Sequence, residues 1–151
     1  MIENALRTFL LSTPAVANLL GTKGIHVGDC IINASEQLPA IGIECDPTSR
    51  ITLLDGSTPD FQLPMFEIRA KSQLFDTSSS LMDAILTALE SLSLGGTVEI
   101  MVDGASVPIT IEQVDLLTSP FNDPEENYGH AITVKSRVVK IRVGWREITT
   151  L

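Results

Sequence analysis

The feature that most constrains the fold is a run of alternating apolar residues near the C-terminus, at residues 131–145. Its apolar residues form two sets of opposite parity, an early set of Ile132, Val134 and Val138 and a late set of Val139, Ile141, Val143 and Trp145. Because successive side chains of a strand point to opposite faces, the inward face must change near Val138. We predict one long strand, with a bulge or sharp bend near Val138, that serves two packing surfaces.

Two strand-like segments precede this strand, at residues 97–103 and 107–117. The dipeptide Asp103-Gly104 separates them and is typical of a tight hairpin turn. The acidic and irregular residues that follow predict a projecting hairpin or loop around residues 117–131. The C-terminal half of the chain therefore predicts an antiparallel sheet.

One long amphipathic helix is predicted in the middle of the chain. Its apolar stripe is formed by Leu81, Met82, Ile85, Leu86, Leu89 and Leu92. Side chains suited to capping precede the stripe at residues 76–80, and Gly95-Gly96 ends it. This helix must bury its apolar face against another element.

The N-terminal part predicts two helices and then strands. Residues 2–11 and 14–21 show helical patterns on either side of a Ser-Thr-Pro corner, where the hydroxyl residue and proline are typical of a helix start. Residues 40–45, as the first sheet element, and residues 63–72 read as strands. We expect an α+β fold, with a mostly antiparallel sheet, an N-terminal helical pair and one long amphipathic helix packed against it, in a single domain over residues 1–151.

Composition limits the classes of partner. A chain of 151 residues suits one domain with a real core. Its net charge of -9 disfavours general binding to nucleic acid or anionic membranes. The apolar runs are shorter than the roughly 20 residues of a membrane span. We therefore expect a soluble, unprocessed protein. Cys30 and Cys45, without an export signal, predict reduced and buried thiols and synthesis in the cytoplasm.

Residues capable of chemistry do not form a known pattern. His26 and His130 are far apart, lack cysteine or carboxylate neighbours at metal-ligand spacing, and read as solvated side chains of a loop and a strand start. The group Asp123, Glu125, Glu126 and Asn127 lacks the glycine and alternation of a calcium loop. We therefore predict no enzyme activity, no metal and no cofactor.

Charged residues near the C-terminus form two opposite groups. Four basic residues lie in the last strand, namely Lys135, Arg137, Lys140 and Arg142, and three acidic residues lie in the preceding loop, namely Asp123, Glu125 and Glu126. One interpretation is a solvated strand surface that also prevents edge aggregation. The other is a contact between subunits, in which the acidic loop of one copy meets the basic strand of the next and closes a ring.

Four stretches carry a resemblance to a known family: MIENAL at residues 1–6, AVANLLG at 15–21, FEIR at 66–69 and LMDAI at 81–85. Together with the predicted order of elements, they cover nearly the whole chain. On these grounds the chain resembles the tail-completion or tail-terminator proteins of long-tailed bacteriophages, which join the tail to the head.

The resemblance implies a structural protein of the virion, made in the host cytoplasm and located at the head-proximal end of the tail. It implies a homohexameric ring that caps the tail tube, stops its polymerisation and provides the surface for head attachment. The implied partners are other copies of the chain, the tail tube protein and a head-completion or neck protein, while DNA passes through the lumen without specific binding. Residues 119–129 and 46–59 are candidate contact segments.

Two alternatives remain open from the sequence. The first is a head-completion or neck protein that binds beneath the portal. The second is a small enzyme whose site is built from residues distant in sequence. Convergent titratable side chains in a cleft would favour the enzyme.

Overall fold

A computed structural model describes residues 2–49, 54–55, 62–128 and 132–147. Its helices are α1 (Ile2–Leu11), α2 (Pro14–Ala17) and α3 (Phe75–Leu92). Its strands are β1 (Ile25–Val27), β2 (Ala40–Cys45), β3 (Met65–Ser72), β4 (Gly96–Val102), β5 (Ala105–Leu116), β6 (Phe121–Asn122), β7 (Glu126–Tyr128) and β8 (Ile132–Glu147). The predicted combination of helices with a β-sheet is confirmed.

The predicted long C-terminal strand is β8, and it lies at the centre of the sheet. It pairs with β3 on one side and with β5, β6 and β7 on the other. The pairing with β3 keeps one register over residues 135–142, so the bulge predicted near Val138 is wrong. The register instead shifts in β5, between Ile111 and Gln113.

Coverage of both faces of β8 explains its change of parity. The late set packs into the main core, on the face that α3 covers. On the opposite face, Val134 packs into a second apolar cluster with Cys30, Ile32, Leu38 and Ala40. The two packing surfaces are therefore confirmed. No register shift in β8 is needed, because a different cluster of apolar side chains covers each face of the strand.

The strand order is β1-β2-β3-β8-β5-β4, with β6 and β7 beside β8. Neighbouring described strands pair antiparallel, except that β1 is parallel to β2. Residues 40–45 are consequently not the first sheet element, because β1 precedes them. The sequence pattern missed β1 because three residues are too few to show alternation.

The predicted turn between β4 and β5 is confirmed. Asp103 has φ 50° and Gly104 has φ 81°. Positive φ at both central residues is the requirement of the two-residue hairpin turn whose twist matches that of the strands. The Asp-Gly pair thus sets the register of this hairpin.

The long helix begins earlier than predicted. α3 starts at Phe75 after Leu74, which forms no side-chain cap, so residues 76–80 lie within the helix and do not cap it. Ser78 is fully buried, and its hydroxyl is 2.7 Å from the Lys135 carbonyl oxygen. This hydrogen bond joins the first turns of α3 to β8, which explains why a polar residue is buried there.

The Ser-Thr-Pro corner caps the end of α1, whereas the prediction was that it caps the start of the second helix. The hydroxyls of Ser12 and Thr13 donate to the Phe9 carbonyl oxygen, at 2.7 and 3.0 Å. They therefore satisfy the end of α1, and Thr13 makes no side-chain bond at the start of α2. α2 is a single turn that ends at Ala17, short of the predicted Gly21.

The helices close the apolar side of a curled sheet. α3 contacts β3, β5 and β8, while α1 contacts both β1 and β4, the two ends of the strand order. The largest fully buried side chains include Ile2, Leu6, Leu10, Phe66, Ile68, Leu81, Met82 and Ile85. Of the helices in the described ranges, none is long and apolar enough to cross a lipid bilayer.

Candidate functional site

The acidic residues predicted to project from the sheet are paired along β8. β6 places Phe121 opposite Val138, and β7 places Glu126 opposite Val134. The described residues 117–128, here called the acidic segment, thus continue the line of β5 beside β8. The prediction of a projecting loop is corrected for this part, because cations of β3 bind its carboxylates.

Two basic residues of β3 hold the acidic segment. Arg69 pairs with Asp123 and also with Glu67 on its own strand. Lys71 is only 4% exposed, and its ammonium lies 3.0 Å from the Cys30 carbonyl oxygen and 3.4 Å from a Glu126 carboxylate oxygen. A buried ammonium requires such partners, because the loss of water around an unpaired charge is costly.

Arg69 stays protonated in this setting. Partial burial lowers the pKa of Arg69, but the hydrogen bond with Asp123 and the charge of Glu67 raise it, and the net direction is upward. The guanidinium is therefore a fixed positive charge that bridges β3 and the acidic segment.

Basic residues of β8 contact residues of the acidic segment within one chain. Lys135 Nζ lies 3.5 Å from a Glu125 carboxylate oxygen and 5.1 Å from the centre of the Phe75 ring. Arg137 Nη1 donates to Asn122 Oδ1 at 2.9 Å. Charge complementarity between these segments is thus used within one chain, and a contact between copies stays a prediction.

The other two basic residues lie on the opposite face of β8. Lys140 is exposed, and Arg142 Nη2 lies 3.6 Å from Met65 Sδ. The four basic residues consequently do not form one surface, since the regular register gives Lys135 and Arg137 the other parity. The interpretation that they protect a sheet edge is wrong, because β8 has a neighbouring strand on each side.

A charged cleft of about 310 Å³ lies between β2, β3, residues 28–31 and the acidic segment. Its charged lining consists of Asp29, Glu44, Glu67, Asp123, Glu126, Arg69 and Lys71. Carboxylates outnumber cations by five to two in this lining. The cleft therefore suits a cationic group better than an anion.

A buried thiol, Cys30, lies at the wall of the cleft. Cys30 is buried and Cys45 is half-buried, and both are free thiols, so the predicted burial is confirmed only for Cys30. Burial raises the pKa of the Cys30 thiol, although the charge of Lys71 opposes this. Burial likewise raises the pKa of the Cys45 thiol. These directions are opposite to the lowered pKa that activates a cysteine nucleophile.

The other residues considered for chemistry are placed as follows. His26 is a half-buried residue of β1, which corrects its predicted place in a loop, and His130 lies outside the described residues. Within the described ranges, no three His, Cys, Asp or Glu side chains are grouped so that they could bind a metal ion.

The sequence pattern did not identify β3 as part of a site. The signal was the alternation of Glu67, Arg69 and Lys71, which places three charged side chains on one face of a central strand. Charged side chains on such a strand need partners from another segment, and the acidic segment supplies two of them. Comparison of the chain with protein-family models gives no match, and comparison with curated protein sequences gives none.

Proposed function

We propose that this chain is a tail terminator of a long-tailed bacteriophage. As a homohexameric ring it caps the tail tube, stops its polymerisation and provides the surface for head attachment. The observation that supports this function is the order of elements on which the resemblance rests, a helix, a corner, a short helix, strands, a long helix and a meander that ends in a long strand. We also propose that the fold is α+β, with a mostly antiparallel sheet and with the N-terminal helices and α3 packed against it.

The mechanism is steric and adhesive. One face of the ring matches the last ring of the tail tube, and the other face offers no site for a further tube subunit. Heterologous contacts between copies close such a ring. The net charge of -9 suits a lumen that DNA must cross without binding, because like charges repel the phosphates.

The contact between copies is testable through charge. Lys140 is exposed, and the side chain of Glu125 is 50% exposed, so each remains accessible to a neighbouring copy. Reversal of Lys135 and Arg137 would also disturb contacts inside the chain. Lys140→Glu is the second variant, and because Lys140 lies opposite Glu67 in the β3–β8 ladder, circular dichroism must show that this variant is folded. Lys23→Glu, outside the basic strand, is its control with the same change of charge.

At low salt, where charge pairs are least screened, we expect Lys140→Glu to shift the ring toward smaller species in sedimentation velocity. Lys23→Glu should keep the mass of the unaltered protein. If Lys140→Glu and the Lys135→Glu/Arg137→Glu double variant both keep the ring mass of the unaltered protein at low salt, the basic residues of β8 are not part of the interface between copies.

The second candidate is a head-completion or neck protein, and partner choice separates it from the terminator. Immobilised tail tubes should retain the protein, whereas isolated portal should not. Retention on portal alone would favour the neck protein.

The charged cleft favours the more distant candidate, a small enzyme, because titratable side chains converge in a cavity. The pairing of Arg69 and Lys71 with carboxylates instead supports a structural role. If the Glu67→Gln protein caps tail tubes as efficiently as the unaltered one, the charged cleft has no part in capping. A substrate assay would then be needed to test the enzyme.

A further inference from the structure

Part of β5 has a free edge. The pairing of β4 with β5 ends at Gly96 and Ile111, whereas the pairing of β5 with β8 continues to Leu116. Over residues 113–116, β5 therefore has β8 on one side and no paired strand on the other, as far as the described part of the chain extends.

The backbone at this edge is oriented for pairing. The Leu117 amide donates to the Lys140 carbonyl oxygen at 2.8 Å, which makes Leu116 and Ile141 a non-hydrogen-bonded pair of the antiparallel ladder. Val114 and Val143, two residues away, form the next pair of this kind. The N–H and C=O groups of Val114 and Leu116 consequently point away from β8, toward the free edge.

An apolar groove adjoins the same edge. It has a volume of about 480 Å³ and lies between α3 and β5, and its apolar lining comprises Leu86, Leu89, Val114 and Leu116. Leu116 is 57% exposed, although it is one of the larger apolar residues of the chain. The residues that present free backbone groups thus also present apolar side chains to an open groove.

In the part of the chain that the structure describes, the charged residues that line the groove are acidic. Asp83 and Glu90 are its charged lining residues, and both are exposed. A partner with basic side chains would complement these carboxylates. The edge strand β1 of a second copy is a poor candidate for this partner. Its Ile25 carbonyl oxygen already accepts a hydrogen bond from Arg7 Nε at 2.9 Å.

We propose that residues 113–116 accept an extended segment of a partner protein as an added strand. The segment pairs its backbone with Val114 and Leu116, and on the side that faces α3 it carries apolar side chains, which enter the groove, with a basic side chain on either side of them. Its basic side chains lie near Asp83 and Glu90. This docking surface is independent of the phage role proposed above and does not require a ring.

A synthetic peptide with lysine, valine, valine and lysine at alternate positions and threonine between them is a direct probe, because all four of these side chains then share one face of the strand. Fluorescence anisotropy should show binding to the full chain, about tenfold weaker for a peptide with glutamate at the lysine positions. N-methylation of alternate peptide amides should weaken binding by at least about tenfold, because it removes main-chain hydrogen bonds. The amides of Val114 and Leu116 should become protected from hydrogen exchange on binding.

Matched variants locate the site. Leu116→Glu should abolish binding, whereas Leu117→Glu, at the next exposed leucine and with the opposite strand parity, should retain it. The Asp83→Lys/Glu90→Lys double variant, altered only at exposed positions, should prefer the glutamate peptide. Circular dichroism checks that each variant is folded.

Several results would overturn the proposal. These are no binding of the lysine peptide, equal binding of the N-methylated peptide, equal loss of binding in both leucine variants, or an unchanged preference in the Asp83→Lys/Glu90→Lys protein. If the peptide does not bind and Leu116→Glu reduces the mass of the protein's own oligomer, the edge is a contact between copies, and the partner segment is excluded.

Discussion

Replacement of Phe66 by alanine is expected to lower the free energy of unfolding by about 3–5 kcal/mol. Phe66 is 1% exposed and lies in β3, opposite Ile141 of β8. Its ring is among the largest fully buried side chains of the main core. Truncation removes apolar burial and leaves a cavity that the sheet can fill only in part. Urea denaturation followed by circular dichroism measures the change.

Leu94→Ala is the control, because Leu94 is 95% exposed and its truncation should change stability by less than about 0.5 kcal/mol. A loss below about 1 kcal/mol for Phe66→Ala would contradict the position of β3 at the centre of the core.

Replacement of Gly21 by alanine is expected to cost about 3 kcal/mol of stability. A Cβ atom at this position would lie 2.4 Å from the Leu38 carbonyl oxygen and 2.6 Å from the Leu38 carbonyl carbon. Both are backbone atoms, so the clash cannot be relieved by a side-chain rotation. The required shift would also strain the hydrogen bond from the Gly21 amide to the Pro39 carbonyl oxygen, now 2.7 Å. Thermal unfolding reports the loss.

Gly104→Ala provides the comparison for this clash. Gly104 has φ 81°, and a Cβ there would meet nothing within 4 Å. Its replacement should cost only the strain of a left-handed backbone, about 1 kcal/mol. Equal costs at Gly21 and Gly104 would show that close packing against Leu38 does not limit the first position.

Elements whose periodic pattern extends over many residues were predictable from sequence. The apolar stripe of α3 and the alternation in β8 each extend over many residues, so each identified its element type. The Asp103-Gly104 turn was predictable because few dipeptides tolerate positive φ at both positions. β1 was missed because its short segment depends on parallel pairing with β2, a contact that local pattern does not encode.

The candidate site was predictable in its charges but not in its pairing. The sequence shows opposite charges in residues 119–129 and in β8, and it suggested that they meet between copies. Within one chain, the fold places Arg69 and Lys71 of β3, which the sequence pattern did not single out, next to Asp123 and Glu126. These partners are 54 and 55 positions apart, and only the order of strands brings them together.

The proposed terminator is tested most directly by electron microscopy of the purified protein with and without tail tubes. We expect rings with a central hole, and tubes that carry one such ring at a single end and do not elongate when more tube protein is added. Single subunits together with uncapped tubes that continue to grow would contradict the proposal.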